Sequence, residues 1–300
     1  MTAEAVYGYP PSALAPVSAD ATQTSPLVIG ATPIEVMADG AVGRFTILAP
    51  PGTLERRFVL AQALRALAVD GELVVLAQKN RGGARLAGEL STFGCDVRQN
   101  AKAHHRICRT ARPAAPAGLE GAIEAGGPRW VAGLGLWSQP GVFSWDRVDP
   151  GSALLLGQPW TPTGAGADLG CGIGLLGLEI LKSDAVESLR LIDIDARAIA
   201  AAKRNIADPR ASFRQHDLRE APTTGLDFVV MNPPFHSGGA EDRRLGRQHV
   251  ETAAAMLKSG GVLRMVANIA LTYEDILAAN FGEVRSIVRE GGYKVLEGVR

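Results

Sequence analysis

Four residues, Asn232-Pro233-Pro234-Phe235, follow the apolar run LDFVV at 226–230. Prolines end a central strand because they cannot donate a ladder hydrogen bond. A polar amide, a rigid turn and an aromatic ring are thus set together at one strand tip. Upstream, residues 168–177 read DLGCGIGLLG, with Gly172-x-Gly174-x-x-Gly177 in the spacing of a dinucleotide loop. Such a loop lets backbone approach a ligand at a helix N-terminus. Asp193 follows 21 residues after Gly172 (193 − 172), at the end of the next strand, where a carboxylate can accept from both ribose hydroxyls. NAD and S-adenosylmethionine both satisfy these residues. Asp168, ahead of Gly170, separates the two: a carboxylate there suits an ammonium group and repels a pyrophosphate. Asp217 ends the third strand, where it can accept from an adenine amino group. The acids could also serve only as loop caps, but in a doubly wound sheet three successive strand ends share one crevice. The cofactor-binding set is therefore Asp168, Gly170, Cys171, Gly172, Gly174, Asp193, Ile194, Asp217, Leu218 and Asn232.

Elements of suitable length surround these residues. In the second half, GAGADLGCGIGLLGLEILKS (164–183) is expected to give a short strand, the glycine loop and a helix; further strands are expected at 188–195, 211–217, 225–235 and 261–268, with helices at 196–208, 247–261 and 273–282 and a hairpin over 286–300. Alternation of this kind implies an α/β fold, a doubly wound, mostly parallel sheet with helices on both faces. In the first half, GRFTILAPP (43–51) and GELVVLAQK (71–79) read as strands. LERRFVLAQALRALA (54–68) and GGARLAGELSTFG (82–94) read as helices, with short strands following near 95–102 and 104–110. Residues 111–128, rich in Pro and Ala, read as a connection. Residues 1–43, rich in Ala, Pro, Ser and Thr without a period, read as a flexible segment.

At 300 residues, with 46% hydrophobic and 21% charged side chains, the composition is that of a two-domain globular protein. Cys95, Cys108 and Cys171 have no metal-type spacing and are expected to be reduced thiols. His104 and His105 lack a partner at metal spacing, so no metal is expected. The first basic residue is Arg44, which gives no signal-peptide n-region, and no apolar run has membrane length. A soluble cytoplasmic protein, with a monomer as the favoured state, is expected. Net charge is zero, but residues 44–114 hold twelve Lys/Arg against five Asp/Glu. This is either a solvated face or a phosphate-binding surface.

The order DLGCGIG, Asp193, Asp217, NPPF resembles class I S-adenosylmethionine-dependent methyltransferases that act on amines. Together with GVFSWDRVDPGSALLL, NPPFHSG and GGVLRMVANIALTYEDIL, it resembles the ribosomal RNA small subunit methyltransferase C family, over about residues 141–300. The resemblance implies a Rossmann-like catalytic domain (129–300), S-adenosylmethionine as cofactor, and methylation of guanine N2 in ribosomal RNA. It also implies a preceding degenerate copy of the fold, here a smaller domain at 44–128. LAQKNRGGARLAGELSTFG matches the end of that copy, but the N-terminal part is too short for a full one.

The chemistry of the turn fits an amine substrate. A purine exocyclic amine is a poor nucleophile because its lone pair is shared with the ring. Asn232 Oδ1 can accept one N–H and the Pro233 carbonyl the other, with Pro234 holding that carbonyl outward. The nitrogen lone pair is then aimed at the methyl group. Phe235 can stack on a flipped base. Adenine-N6 and protein-glutamine methylation, a nicotinamide oxidoreductase, and a non-catalytic RNA-binding ribosome-assembly factor are the other readings. The first two amines are usually served by Tyr in the fourth position; Asp168 and the turn disfavour nicotinamide.

Overall fold

The structure, a computed structural model, describes residues 3–219, 221, 223–233 and 240–300, the last block from residue 244 on for its side chains. The chain divides into two compact units, Met1–Pro128 with Gln139–Gly141, and Arg129–Ser138 with Val142–Arg300.

The first unit holds β1 (Glu4–Tyr7), β2 (Thr22–Gln23), β3 (Val42–Leu48), α1 (Thr53–Ala66), β4 (Leu67–Gln78), α2 (Leu86–Thr92), β5 (Arg98–Lys102), β6 (His105–Ala111) and α3 (Leu119–Gly126). Its sheet order is β2-β1-β3-β4-β6-β5, with β1, β2, β3 and β4 parallel and the β5–β6 pair antiparallel. Residues 3–43 are thus not a flexible segment. Ala5, Val6 and Tyr7 are buried in β1, which pairs with β3, and Ala15 and Ile34 are buried as well. The segment shows no period because only short pieces of it are regular. Residues 111–128 are likewise more than a connection. Leu119, Ala122, Ile123 and Gly126 form the i, i+3, i+4, i+7 stripe of α3 and pack into the core of this unit.

The second unit holds a hairpin, β7 (Arg129–Val131) and β8 (Leu136–Ser138), then α4 (Pro150–Leu156), β9 (Gly164–Leu169), α5 (Leu175–Ile180), β10 (Val186–Asp193), α6 (Ala196–Asn205), β11 (Ala211–Gln215), β12 (Leu226–Met231), α7 (Ala240–Met256), β13 (Leu257–Asn268), α8 (Glu274–Asn280), β14 (Glu283–Glu290) and β15 (Tyr293–Val299). Its sheet order is β11-β10-β9-β12-β13-β15-β14. The first five of these are parallel, and β15 and β14 close the edge antiparallel. The expected doubly wound fold is present, with a smaller α/β unit before it. β12 sends Phe228 and Val230 to one face, against Leu155, Leu176 and Ile199, and Val229 and Met231 to the other, against Val250 and Ala253. That two-sided burial makes it an apolar central strand. Helix α7 starts at Ala240, seven residues ahead of the expected 247.

The two units are built on one plan. Strands β1, β3, β4, β6 and β5 occupy the places of β9, β12, β13, β15 and β14. β4 and β13 each run twelve residues with nearly the same burial pattern. Each also shifts register once against its parallel neighbour, between Val42 and Arg44 and between Leu226 and Phe228. Carried through that register, Val6 stands at the place of Asp168 and Leu48 at the place of Asn232. Among the described residues nothing in the first unit corresponds to α5, α6 and β11, and at the place of β10 stands the two-residue β2.

Candidate functional site

In the second unit the chain order along the sheet reverses between β9 and β12. Ligands bind such folds at this switch point, outside the carboxyl ends of the strands. The residues singled out above sit on those ends.

Asp168, on β9, has no exposed surface, and neither carboxylate oxygen has a hydrogen bond of good geometry among the described residues. Burial, then the nearby charge of Asp193, pushes its pKa up to about 8, with the Gly177 N–H opposing. A buried carboxyl without a partner is costly unless something supplies one. Next to it, Gly170, Gly172 and Gly174 all adopt positive φ. At Gly174 (φ +88°) a Cβ would also lie 2.9 Å from Ile206 Cδ1, so only glycine lets the loop turn into α5 against α6. Asp193, at the end of β10, reaches back to this loop. Its Oδ2 accepts from the Gly172 N–H at 2.8 Å and its Oδ1 from the Asp195 N–H at 2.9 Å. Burial raises its pKa to about 6 against the pull of those N–H groups. Each carboxylate oxygen keeps a further lone pair for a ligand hydroxyl.

The remaining cofactor candidates line the neighbouring tips. The Ile194 carbonyl accepts from Gln215 Nε2 at 2.9 Å, tying β10 to β11. Leu218 is buried, and its carbonyl accepts from Thr252 Oγ1 at 2.7 Å. Asp217 is spent on Arg219, whose Nε lies 2.6 Å from Oδ2 and whose guanidinium holds the carboxyl below its ordinary range. Cys171 is buried inside the loop, and its thiol is pushed up by burial and by the charges of Asp193 and Asp168, so it packs as a neutral group. All three cysteines are free and buried. No cluster of metal-ligating residues occurs among the described residues.

Asn232 stands two residues beyond Val230, which pairs with Asp168 across the β12–β9 ladder. Its Nδ2 donates to Asp149 Oδ2 at 2.8 Å and to Ser152 Oγ at 2.9 Å. Among the described residues its Oδ1 accepts no hydrogen bond. Pro233 is buried beside it. Pro234 and Phe235 lie outside the described residues, as does His236. Asp149 is the N-cap of α4, accepting from the Ser152 N–H at 2.9 Å, with Pro150 at the first helical position. Asp149 and Ser152 were not among the expected site residues. The Asp-Pro pair is a legible helix start, but nothing local says that its second partner lies 83 residues on.

A buried acid without a side-chain partner among the described residues, set beside a glycine loop, fits a cofactor bearing an ammonium group, and Asp193 keeps lone pairs that could take hydroxyl groups. Comparison with known proteins agrees. The methyltransferase small domain matches residues 133–297. The ribosomal RNA small subunit methyltransferase C of Pseudomonas paraeruginosa is 32% identical over 251 residues, covering 82% of this chain and 76% of that protein. Its counterpart in Stutzerimonas stutzeri is 30% identical, with 85% and 78% covered. Among solved structures, the T. thermophilus 16S rRNA N2 methyltransferase RsmC, in complex with AdoMet and guanosine, superposes with a TM-score of 0.72. It is 27% identical and covers 90% of this chain and 76% of that one. With its fold, its loop and these relatives in agreement over most of its length, the chain belongs to the ribosomal RNA small subunit methyltransferase C family.

Proposed function

We propose that the protein transfers a methyl group from S-adenosylmethionine to the N2 amine of a guanine in small-subunit ribosomal RNA. The observation that supports this reading is one juxtaposition: Asn232, whose Oδ1 is unengaged among the described residues, follows the strand beside buried Asp168, whose oxygens have no hydrogen-bond partner among those residues. When bound, the cofactor supplies an activated methyl on a positively charged sulfur. The residues of this chain then have three tasks. Asp168 receives the cofactor ammonium, and Asp193 receives the ribose hydroxyls while its backbone contacts keep the Gly172 turn in shape. Asp217 and Leu218 border the adenine. Asn232 Oδ1 and the Pro233 carbonyl accept the two amine hydrogens, so that the lone pair turns out of the ring plane toward the methyl. The Phe235 ring serves as a stacking surface for the extruded base, and Pro234 restricts the backbone next to the Pro233 carbonyl. The methylated nitrogen is strongly acidic and loses its proton to water. The reaction belongs in the cytoplasm with ribosomal RNA; no helix among the described residues is long and apolar enough to cross a membrane.

Radiolabelled S-adenosylmethionine offered with small-subunit rRNA, naked and assembled, tests the reading. Digestion of the product should yield labelled N2-methylguanosine. Label appearing instead in N6-methyladenosine, in DNA or in protein glutamine would overturn the guanine assignment.

A further inference from the structure

The Asn232 amide is symmetric in shape but not in chemistry. One end donates and the other accepts, and rotation by half a turn exchanges them. Only the orientation that presents Oδ1 to an incoming amine is productive; the reverse would set two N–H donors against two N–H donors. The structure contains a device that forbids the reverse. Asp149 Oδ2 lies 2.8 Å from the Asn232 nitrogen, and an ionised carboxylate can only accept. Were the amide reversed, an oxygen would face that carboxylate with no proton between them. Ser152 Oγ, at 2.9 Å, takes the second amide hydrogen. It does not decide the orientation, because a hydroxyl can donate as well as accept. Asp149 is in turn held by the first turn of α4, where the same Oδ2 caps the Ser152 N–H. Glycine at position 151 lets that turn sit close, since a Cβ there would stand 3.0 Å from both Asp149 Oδ2 and the ring of Tyr293.

We infer that Asp149 is a positioning residue for methyl transfer, fixing the Asn232 amide so that Oδ1 faces the substrate amine. The inference rests on the role given to Asn232 above. It makes the cap of α4, 83 residues away in sequence, part of the catalytic arrangement without touching the substrate.

The test is a double-mutant cycle read by single-turnover methylation of small-subunit rRNA, in whichever form the wild type methylates, with cofactor affinity measured separately by calorimetry. Asp149→Ser keeps a good N-cap but withdraws the carboxylate from the amide. It should leave cofactor affinity within a few-fold and lower the methylation rate by about 10- to 100-fold, the scale of a lost transition-state hydrogen bond. In an Asn232→Ala background the same change should cost less than about 3-fold, because the group it positions is gone. Asp149→Asn, whose amide oxygen is held toward Asn232 by the Ser152 N–H that it also caps, should recover most of the rate. Ser152→Ala, which keeps the cap intact, should lose only a few-fold.

Several outcomes overturn the inference. A wild-type rate for Asp149→Ser means that the orientation needs no lock. Equal losses with and without Asn232 mean that Asp149 only supports the fold. A wild-type rate for Asn232→Ala alone, or no methylation of RNA by the wild type, removes the amine-orienting reading itself and the lock with it. Should Asp149→Ser lose cofactor affinity along with rate, Ser152→Ala and Asp149→Asn decide, and a Ser152→Ala loss that persists in the Asn232→Ala background again points to a purely structural role.

Discussion

Asp168 is a carboxyl group placed where water does not reach it and where, among the described residues, no side chain answers it. In the free protein its pKa is pushed up to about 8 from an ordinary 3.8. Because the folded value is the higher one, this group contributes stability that is fully present below 3.8 and is lost as pH rises through about 8. A cofactor ammonium beside it favours the ionised form and lowers the value. Binding in the acid part of that window therefore expels a proton, and affinity should rise with pH between about 6 and 7.5. Calorimetry in buffers of different ionisation enthalpy would show the proton release directly. Asp168→Asn should bind more weakly and with a flat profile. A wild-type affinity independent of pH across this range would mean that Asp168 does not meet the ammonium.

At the scale of elements, the edge strand β5 carries the basic face noted in the sequence. All five of its residues, Arg98 to Lys102, are exposed. Of the eight cations crowding this region, Arg109 is paired with Glu72, Arg112 donates to the Leu64 carbonyl, and Arg85 approaches Thr53. Lys79, Arg81, Arg98, Lys102 and Arg106 have no ion pair among the described residues. If they meet phosphates, replacing Arg81, Arg98, Lys102 and Arg106 by Gln should lower RNA affinity and reduce the slope of log affinity against log salt by about 3. Cofactor affinity should stay the same, and an unchanged slope would leave β5 as a solvated edge. Arg56 in α1 has the opposite character. It is buried, forms two 2.6 Å contacts with Glu89, and donates to the carbonyls of Pro50 and Pro51 after β3. Gly82 (φ +95°) leaves it room, since a Cβ there would fall 2.3 Å from Nη1. Arg56→Ala removes a buried guanidinium and leaves the partly buried Glu89 carboxylate unpaired, and should destabilise this unit by about 3 kcal/mol. Arg44→Ala, at a half-exposed pair with Glu72, should cost under about 1 kcal/mol, and denaturant titration of both variants checks the contrast.

Taken as a whole, the molecule carries one plan twice and one site once. Val6 and Leu48 occupy the register positions of Asp168 and Asn232, so the first copy has neither an acid for an ammonium nor an amide for an amine. Among the described residues it also lacks counterparts of α6 and β11, which border the strand ends carrying Asp193 and Asp217 in the second. Its turn carbonyls, at Pro50 and Pro51, are taken by its own Arg56. Calorimetry of the full chain should therefore give a single equivalent of S-adenosylmethionine. Asp168→Ala should remove that equivalent without uncovering another. A second equivalent, surviving in the variant, would show that the first copy still binds.

Where function depends on neighbours in sequence, the residues alone told most of the story. The glycine loop, the acids at strand ends and the Asn-Pro-Pro turn each lie within a few residues, because a strand-to-helix turn and a strand tip are local structures. Alternating runs of apolar residues were enough to reveal the doubly wound sheet. Tertiary structure decided what is held together across long stretches. β1 is four residues with no readable period, and only pairing with β3 makes it a core strand. The equivalence of Leu48 with Asn232 comes from a register shift; matching LAPP to MNPP by eye would set Met231 there instead. The orientation of the Asn232 amide depends on a carboxylate 83 residues earlier. A hydrogen bond closed over that distance leaves no spacing or composition to read, because the chain between its ends is free to be almost anything that folds back to the same point.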